Sequence, residues 1–347
     1  MTSPLRLRLD GDALVANWRW LARMSGAAAC GAAVKADGYG LGAREVVARL
    51  AKAGCRDFFV ATWDEAVALG PLPEACVLSV LHGVRAEDMG VATKSAARPV
   101  LNSPEQVARW RPTRRPCDVM IDTGMNRLGL SPADDVSGLA IETLMSHLAC
   151  ADEDSPMNAA QRAQFATIDA PARRRSLANS AGICLGQGYA FDLTRPGLAL
   201  YGGVPRAEAA GHIAQVAFPE AQVVQRRRVH AGDSVGYGAS WVATRDTEVA
   251  ILNIGYADGY LRSFAGKGRC GEGRFALLGR VSMDLIAIDV TGTNIAEGDW
   301  VAIDYDLPSA AAASGLSQYE LLTGLGGRFK RRWSVVDEDP MDRSPAP

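Results

Sequence analysis

The first two-thirds of the chain alternates short apolar runs with segments of helical periodicity. The apolar runs predict strands at residues 31–35, 57–62, 76–81, 98–101, 117–122, 143–148, 175–179 and 193–201. Between the early runs, apolar residues recur at i, i+3 and i+4, which predicts helices at 44–54, 64–70 and 104–110. Strand and helix alternating in this way is typical of a parallel sheet. Eight such units fit a closed barrel better than an open sheet, so we predict a TIM-type (β/α)8 barrel over residues 1–214.

The pattern changes after about residue 215. Strands are predicted at 222–229, 248–254, 274–278, 285–290 and 300–304, and helical periodicity is nearly absent until 317–324. Gly-Asp turns at 232–233 and 298–299 separate these strands. We therefore predict a mainly β C-terminal domain over residues 215–336, joined through a linker at 205–217. The polar tail at 337–347 is predicted to be disordered.

The composition of the chain limits the classes of partner that it can bind and indicates its cellular compartment. The 347 residues are 48% hydrophobic and carry a net charge of only -2, so no strong field favours nucleic acid or an anionic membrane. The chain has no apolar run of about 18 residues and no apolar signal-peptide core, so neither a membrane span nor export is expected. Its seven cysteines are scattered and never spaced as C-x-x-C, which favours a reducing compartment, the cytoplasm. The four histidines are far apart in sequence, and no metal site is expected.

A lysine lies at the end of the first predicted strand. It is part of the segment Ala33-Val34-Lys35-Ala36-Asp37-Gly38-Tyr39-Gly40. A buried lysine is unfavourable unless its charge is used or neutralised. One use is an imine with a carbonyl cofactor, which requires a lysine of lowered pKa. On this segment alone, a surface lysine where a strand leaves the core is an equally good interpretation.

Further polar groups follow the later strands of the predicted barrel. They are Arg127 after the fifth strand, His147 near the end of the sixth, Asn179 and Ser180 after the seventh, and Arg195 around the eighth. Taken singly, each has a structural interpretation: a core histidine, a helix cap, a surface charge. Function in such barrels gathers at the carboxyl ends of the strands. The convergence of these groups with Lys35 on one face therefore favours a catalytic site.

These segments resemble, in order, the motifs of alanine racemases. The cofactor-lysine motif is matched at 33–40, and the other motifs at 122–129, 147–153, 179–182, 195–202, 235–238, 254–259 and 279–284. The resemblance covers roughly residues 5–335. It implies a barrel that binds pyridoxal 5'-phosphate, a following β domain and a homodimer. The implied reaction interconverts L-alanine and D-alanine and supplies D-alanine for peptidoglycan.

The resemblance also implies two bases. Lys35 would hold the cofactor as an imine, give way to substrate to form the external aldimine, and act as base on one face of Cα. Tyr237, from the partner chain, would act on the opposite face. A free tyrosine titrates near pKa ~10, so it needs positive neighbours to ionise near neutrality. In the family a histidine and an arginine supply the positive charge, and the matching residues in this chain are His147 and Arg195. Because arginine keeps its proton, Arg195 facing the pyridine nitrogen would leave the cofactor a weaker electron sink.

The remaining roles concern binding. Cofactor contacts are implied for Tyr39, His147, Asn179, Ser180, Arg195 and the backbone of Gly197 and Leu198. Of these, Tyr39, Ser180 and the two backbone N–H groups would hold the phosphate. Arg127 and the backbone N–H of Met283 would hold the substrate carboxylate, and Tyr256 would narrow the entrance for a small amino acid. In the family, Tyr237 and Met283 reach the active site of the partner chain.

Two positions depart from the family pattern. Leu41 replaces a common histidine that is expected to lie outside direct contact with the cofactor. Met120 replaces a lysine that many members carry in carbamylated form, bridging to the arginine equivalent to Arg127. Methionine cannot be carbamylated, so Arg127 needs another anchor, for which Asp122 or a bound anion such as chloride is a candidate.

Three alternatives remain open. A racemase of serine or of broader specificity shares these motifs, although broad racemases of this fold are typically exported. An amino-acid decarboxylase shares the architecture but uses an acidic partner at the ring nitrogen, where this chain has Arg195. A cofactor-carrier protein also binds pyridoxal phosphate on such a barrel, but it lacks the second domain that carries Tyr237.

Overall fold

The computed structural model describes residues 3–334, so the predicted disorder of residues 337–347 lies outside the described residues. The chain forms two compact units. One is Val15–Ala214, and the other combines the N-terminal residues through Leu14 with the chain from Gln215 onwards. Among the described residues, no helix is both long and apolar enough to cross a membrane.

Eight parallel strands form the sheet of the unit Val15–Ala214. They are Ala29–Cys30 with Ala32–Ala33, which together make the first strand, then Asp57–Val60, Val77–Val80, Arg98–Leu101, Pro116–Met120, Ala140–Met145, Arg174–Ser176 and Leu193–Thr194. The strands from Ala32–Ala33 to Arg174–Ser176 pair with one another in chain order.

The eighth strand closes this sheet into a barrel. Leu193 and Thr194 pair in parallel with Ala29 and Cys30 of the first strand. On the other side, Asp192 N–H donates to the Arg175 oxygen over 3.0 Å and Arg195 N–H to the Ala178 oxygen over 2.8 Å. The predicted (β/α)8 barrel is therefore confirmed. The predicted eighth strand at 193–201 is shorter than expected because Pro196 lacks an N–H group and a 3-10 turn follows at Leu198–Tyr201.

One helix precedes the first barrel strand, and others lie between most of the later strands. They are Gly11–Met24, Lys35–Tyr39, Ala43–Ala53, Trp63–Leu69, Met89–Ala92, Pro104–Trp110, Pro156–Thr167 and Ser180–Cys184. The three helices predicted from periodicity are confirmed within two residues at each end. Side-chain caps fix the first residue of several of these helices. At the helix Pro104–Trp110, the Ser103 side chain accepts from Gln106 N–H over 3.3 Å, and Pro104 occupies the first turn.

The second unit is built on a mainly antiparallel sheet, which confirms the predicted β domain. Its strands are Leu5–Leu9, Ala217–Val229, Ser234–Val235, Trp241–Val242, Thr247–Leu252, Arg269–Cys270, Phe275–Leu278, Ile286–Asp289, Trp300–Ala302 and Lys330–Trp333. Its two helices are Leu307–Ser314 and Gln318–Thr323. The long strand Ala217–Val229 pairs with Leu5–Leu9, Thr247–Leu252 and Trp300–Ala302.

The N-terminal strand differs from the prediction that residues 1–214 form one domain. Leu5–Leu9 pairs antiparallel with Ala217–Val229, and parallel with Lys330–Trp333, so it belongs to the β unit. The reason is its period-2 pattern: Leu5, Leu7 and Leu9 are fully buried, and the arginines between them are not. Such a strand is stabilised by a sheet that buries one face. The boundary between the units falls inside the helix Gly11–Met24.

Candidate active site

Lys35 lies two residues after the end of the first barrel strand, Ala33, and begins a left-handed turn. Ala36, Asp37 and Tyr39 have φ values of 52°, 51° and 56°. For residues with a Cβ this conformation costs roughly 1–2 kcal/mol each. The turn is closed by hydrogen bonds from Gly38 N–H to the Val34 oxygen, 2.9 Å, and from Gly40 N–H to the Ala36 oxygen, 2.8 Å. The short helical segment Lys35–Tyr39 is therefore a strained turn and not a regular helix, and it needs support from the surrounding structure.

The surroundings of Lys35 lower the pKa of its amine. Burial lowers the pKa of Lys35, and the positive charge of Arg127 lowers it further, whereas the carboxylate of Glu65 acts in the opposite direction. A lysine of lowered pKa is more often neutral, and the neutral amine is the form that attacks a carbonyl. The structure therefore favours the functional interpretation of Lys35 over a surface charge.

Arg195 and His147 lie near each other at the sixth to eighth strands. Arg195 is 6% exposed and donates from Nη2 to the Ser146 oxygen over 2.7 Å and from Nη1 to Ser176 Oγ. Burial lowers the pKa of Arg195 to about 10, so it stays charged near neutrality. Burial and the charges of Arg195, Arg127 and Lys35 lower the pKa of His147 to about 3. Of the two expected positive neighbours, His147 is thus neutral and Arg195 carries the charge.

Ser180 and Gly197 form a cradle after the seventh and eighth strands. Asn179 caps the helix Ser180–Cys184, accepting from Gly182 N–H over 2.8 Å. Ser180 Oγ accepts from Gly197 N–H over 2.9 Å and from Ala199 N–H over 3.2 Å. A Cβ on Gly197 would lie 2.2 Å from the hydroxyl oxygen of Tyr39, which places that hydroxyl against the same backbone. Hydroxyl and N–H groups gathered in this way suit a phosphate, and the place is the usual phosphate seat of such barrels.

Arg127 lies in an exposed loop whose backbone is held by Asp122. The Asp122 carboxylate accepts from the N–H groups of Gly124, Met125 and Asn126 over 2.8–3.2 Å. Asp122 thus holds the loop backbone, and among the described residues it makes no hydrogen bond or ion pair with the Arg127 guanidinium. Met120 is buried in the barrel. Within residues 3–334, the Arg127 side chain makes no hydrogen bond or ion pair.

Gln161 and Thr123 connect the loops of Arg127 and His147, and the sequence reasoning did not single them out. Gln161 is 1% exposed and donates from Nε2 to the His147 oxygen over 3.0 Å and to Thr123 Oγ1 over 3.2 Å. Its Oε1 accepts from Ala149 N–H over 2.9 Å. Thr123 Oγ1 also lies 2.7 Å from Ser146 Oγ. One buried side chain thus fixes the backbone that directly follows the histidine.

Three further predicted residues, Tyr237, Tyr256 and Met283, lie in the β unit. Tyr237 and Met283 are 69% and 53% exposed. Two hydrogen bonds join the loops of Tyr256 and Met283: Tyr256 N–H donates to the Ser282 oxygen and Ala257 N–H to the Met283 oxygen, both over 3.0 Å. Beside the Tyr237 turn, Gly236, Arg280, Ser282 and neighbouring residues line a cavity of about 500 Å³.

Arg328 holds the loops of Tyr256 and Met283 in place and was also missed. It donates to both oxygens of the fully buried Asp258, over 2.6 and 2.8 Å, and to Asp284 over 2.7 Å. A bidentate guanidinium–carboxylate pair is strong and directional. The sequence offered one signal for such a residue. Each of the motif segments 254–259 and 279–284 contains a carboxylate, and two carboxylates close together favour a shared cation.

The fold and the barrel residues define a class of protein: a (β/α)8 barrel with a lysine of lowered pKa just after its first strand and a cluster of hydroxyl and N–H groups after its last two, followed by a β domain. Residues 9–205 match the family model of the alanine racemase N-terminal domain, and residues 216–333 that of the alanine racemase C-terminal domain. The chain belongs to the alanine racemase family.

Individual relatives agree with this assignment. The alanine racemase of a Jannaschia species is 45% identical, over 94% of this chain and 97% of the relative. The biosynthetic alanine racemase of Agrobacterium fabrum is 40% identical, over 97% and 95%. Among solved structures, the alanine racemase from Bartonella henselae with covalently bound pyridoxal phosphate has a TM-score of 0.88 at 34% identity, covering 96% of this chain and 100% of that chain.

Proposed function

We propose that this chain is a pyridoxal-phosphate-dependent alanine racemase, an isomerase that interconverts L-alanine and D-alanine. The observation that carries the proposal is Lys35, whose pKa is lowered by burial and by Arg127 at the end of the first barrel strand. The relatives support it, since they are alanine racemases and the one from Bartonella henselae holds covalently bound pyridoxal phosphate.

The residues of the barrel fit this cofactor. Lys35 offers an amine for its aldehyde, and the hydroxyls of Tyr39 and Ser180, with the backbone at Gly197 and Leu198, suit its phosphate. Arg195, charged and buried, would face the ring, with His147 beside it and Asn179 holding the helix of Ser180. When bound, pyridoxal phosphate supplies an electron sink that allows the substrate Cα to release its proton.

Two residues would move that proton. Lys35 exchanges it on one face of Cα, and its lowered pKa suits a base that works near neutrality. Tyr237 exchanges it on the opposite face. Because protonation from one face restores the original enantiomer and protonation from the other inverts it, two bases on opposite faces interconvert L- and D-alanine.

The other site residues bind and select the substrate. Arg127 and the backbone N–H of Met283 hold the carboxylate, and Tyr256 narrows the entrance so that a small side chain is preferred. Tyr237 and Met283 would come from a second copy of the chain, so the working form is a homodimer with shared sites. Their exposure on the surface of a single chain, 69% and 53%, supports this arrangement.

The biological setting belongs to the same proposal. D-alanine made by this reaction would supply peptidoglycan synthesis in the cytoplasm. All seven cysteines are unpaired, which supports a reducing compartment. A racemase of serine or of broader specificity is the main alternative. A decarboxylase is disfavoured because the buried partner expected at the ring nitrogen, Arg195, is a cation.

A substrate panel and a lysine variant test the proposal together. The purified protein should racemise L-alanine faster than L-serine and larger L-amino acids, without releasing carbon dioxide. Borohydride should fix the cofactor to Lys35, and Lys35→Ala should abolish that adduct. Lys52→Ala, at an exposed position of the helix Ala43–Ala53, should retain it. Faster turnover of a larger amino acid would contradict the substrate, and an adduct on another lysine would contradict the site.

A further inference from the structure

The strained turn after Lys35 is held by a side chain from the next βα unit. Glu65 lies on the helix Trp63–Leu69, and its two carboxylate oxygens accept hydrogen bonds from two different backbone groups. Oε1 accepts from Ala36 N–H over 2.7 Å, and Oε2 accepts from Ala61 N–H over 2.6 Å. Ala36 is the residue after Lys35, and Ala61 is the residue after the second barrel strand. One carboxylate therefore ties the carboxyl ends of the first two strands together.

Glu65 is itself fixed by its helix. Its backbone N–H donates to the N-cap side chain of Thr62 over 3.2 Å, in the first turn of the helix. The carboxylate is thus presented from a rigid element rather than from a mobile loop. Short hydrogen bonds to a charged acceptor are roughly twice as strong as those between neutral groups. Glu65 supplies support for a turn in which Ala36, Asp37 and Tyr39 all have positive φ.

The far end of the same turn is held by aromatic contacts. Tyr39 stacks on Tyr201 with the ring centroids 4.7 Å apart, and the Tyr201 hydroxyl donates to the Ala33 oxygen over 2.8 Å. The hydroxyl of Tyr39 lies against Gly197 in the Ser180 cradle. The left-handed turn therefore separates two functional groups by a fixed length of backbone: the amine of Lys35 and the hydroxyl of Tyr39.

We propose that Glu65 is a positioning residue, whose carboxylate holds the left-handed turn and thereby sets the spacing between the Lys35 amine and the phosphate cradle at Tyr39. This inference rests on the proposed function, because the spacing matters for a ligand that is held at both ends. A ligand with an aldehyde and a phosphate requires the spacing, whereas one with the aldehyde alone does not. Pyridoxal and pyridoxal phosphate differ in just this respect.

The experiment compares those two ligands on the full chain after removal of bound cofactor. Glu65→Ala removes both acceptors, and Glu65→Gln keeps the size but offers one acceptor oxygen in place of two. Asp64→Asn, an exposed carboxylate in the same helical turn, is the matched control. Imine formation is followed by absorbance for each ligand, and amide hydrogen exchange is followed at Ala36 and Ala61.

Loss of a hydrogen bond to a charged group should accelerate exchange at Ala36 by roughly 10- to 100-fold in Glu65→Ala. The affinity for pyridoxal phosphate should fall by a similar factor relative to the affinity for pyridoxal, because the loss of the Glu65 charge beside Lys35 affects both ligands equally. Glu65→Gln should be intermediate in both measurements, and Asp64→Asn should match the parent.

Several results would overturn the assignment. Unchanged exchange at Ala36 would show that Glu65 does not hold the turn. An equal loss of affinity for both ligands would show that Glu65 affects the Lys35 amine or the general fold and not the spacing. If the parent chain forms no imine with pyridoxal phosphate, the proposed function fails, and the spacing role fails with it. If the parent chain forms the imine with pyridoxal phosphate and the Glu65 variants bind it equally well, only the proposed role of Glu65 is contradicted.

Discussion

The hydroxyl oxygen of Tyr39 occupies the space that a side chain at Gly197 would need: a Cβ there would lie 2.2 Å from it. Gly197→Ala should therefore displace Tyr39 from the cradle and weaken pyridoxal phosphate binding at least tenfold, a change of about 1.4 kcal/mol. Gly90→Ala is the control, because a Cβ at Gly90 meets nothing within 4 Å. Fluorescence titration with the cofactor measures both. Equal affinities would show that the Tyr39 hydroxyl makes no contribution there.

Replacing Tyr237 should separate the two directions of racemisation. Tyr237→Phe removes the proposed base on one face of Cα, so proton exchange from one enantiomer should fall by ~10²–10⁴-fold and exchange from the other much less. Deuterium incorporation into L-alanine and D-alanine, followed by NMR, measures the two rates. Tyr189→Phe, on the barrel unit, should leave both unchanged. An equal loss from both enantiomers would favour a single base.

Shared active sites predict complementation between two inactive variants. Lys35→Ala and Tyr237→Phe each inactivate a different part of the site, so a heterodimer of the two has one intact site if Tyr237 acts on the partner chain. Random subunit exchange should restore about a quarter of the parent activity, because half of the dimers are mixed and each has one working site. Mixing Lys35→Ala with itself is the control. If no activity returns after exchange is verified, each site is built from one chain.

Because Met120 cannot be carbamylated, we predict that a lysine at this position improves the binding of alanine. The Arg127 side chain has no hydrogen-bond partner within residues 3–334, and Asp122 is occupied by the loop backbone. A charge-assisted hydrogen bond is worth roughly 1.5–3 kcal/mol, so Met120→Lys should lower the KM for alanine tenfold or more in bicarbonate. Met120→Gln cannot be carbamylated and should show no response to bicarbonate. An unchanged KM in Met120→Lys would mean that Arg127 is already oriented well.

The neutral state of His147 predicts a pH-dependent stability. Its pKa is lowered from 6.5 to about 3, chiefly by burial and then by Arg195. Between these values the unfolded chain binds a proton that the folded chain does not. The free energy of unfolding therefore falls as pH falls, by at most ~1.4 kcal/mol per pH unit from this group.

Urea unfolding of the cofactor-free protein, repeated at several pH values from about 4 to about 7, measures this effect. His147→Gln should flatten the pH dependence over that range, and His82→Gln, at an exposed position, should not. A parallel pH dependence in His147→Gln and the parent would show that the histidine is charged in the folded protein.

Most of the barrel could be predicted from the sequence because its signals are local. Apolar runs marked all eight strands, and Lys35, Arg127 and His147 follow or end them as expected. The left-handed turn could not be predicted, since Ala36 and Tyr39 have no intrinsic preference for positive φ. A carboxylate 29 residues away supports that conformation.

The residues that were missed share one property: they act on backbone atoms or carboxylates distant in sequence. Gln161 contacts the His147 oxygen 14 residues away, and Arg328 contacts Asp258 70 residues away. Neither lies in a periodic pattern that distinguishes it from a surface polar residue. The N-terminal strand was different, because the alternation in Leu5–Leu9 was visible, and only its partner strands were unknown.

The position of Leu5–Leu9 has a consequence for how the chain is made on the ribosome. The strand emerges well before its partners, Ala217–Val229 and Lys330–Trp333. Domains generally fold as they emerge, and contacts between distant segments form late. Val15–Ala214 can therefore fold during synthesis while the strand Leu5–Leu9 remains unpaired. A stop codon just before Lys330 would leave that strand as a bare sheet edge, which is a template for aggregation.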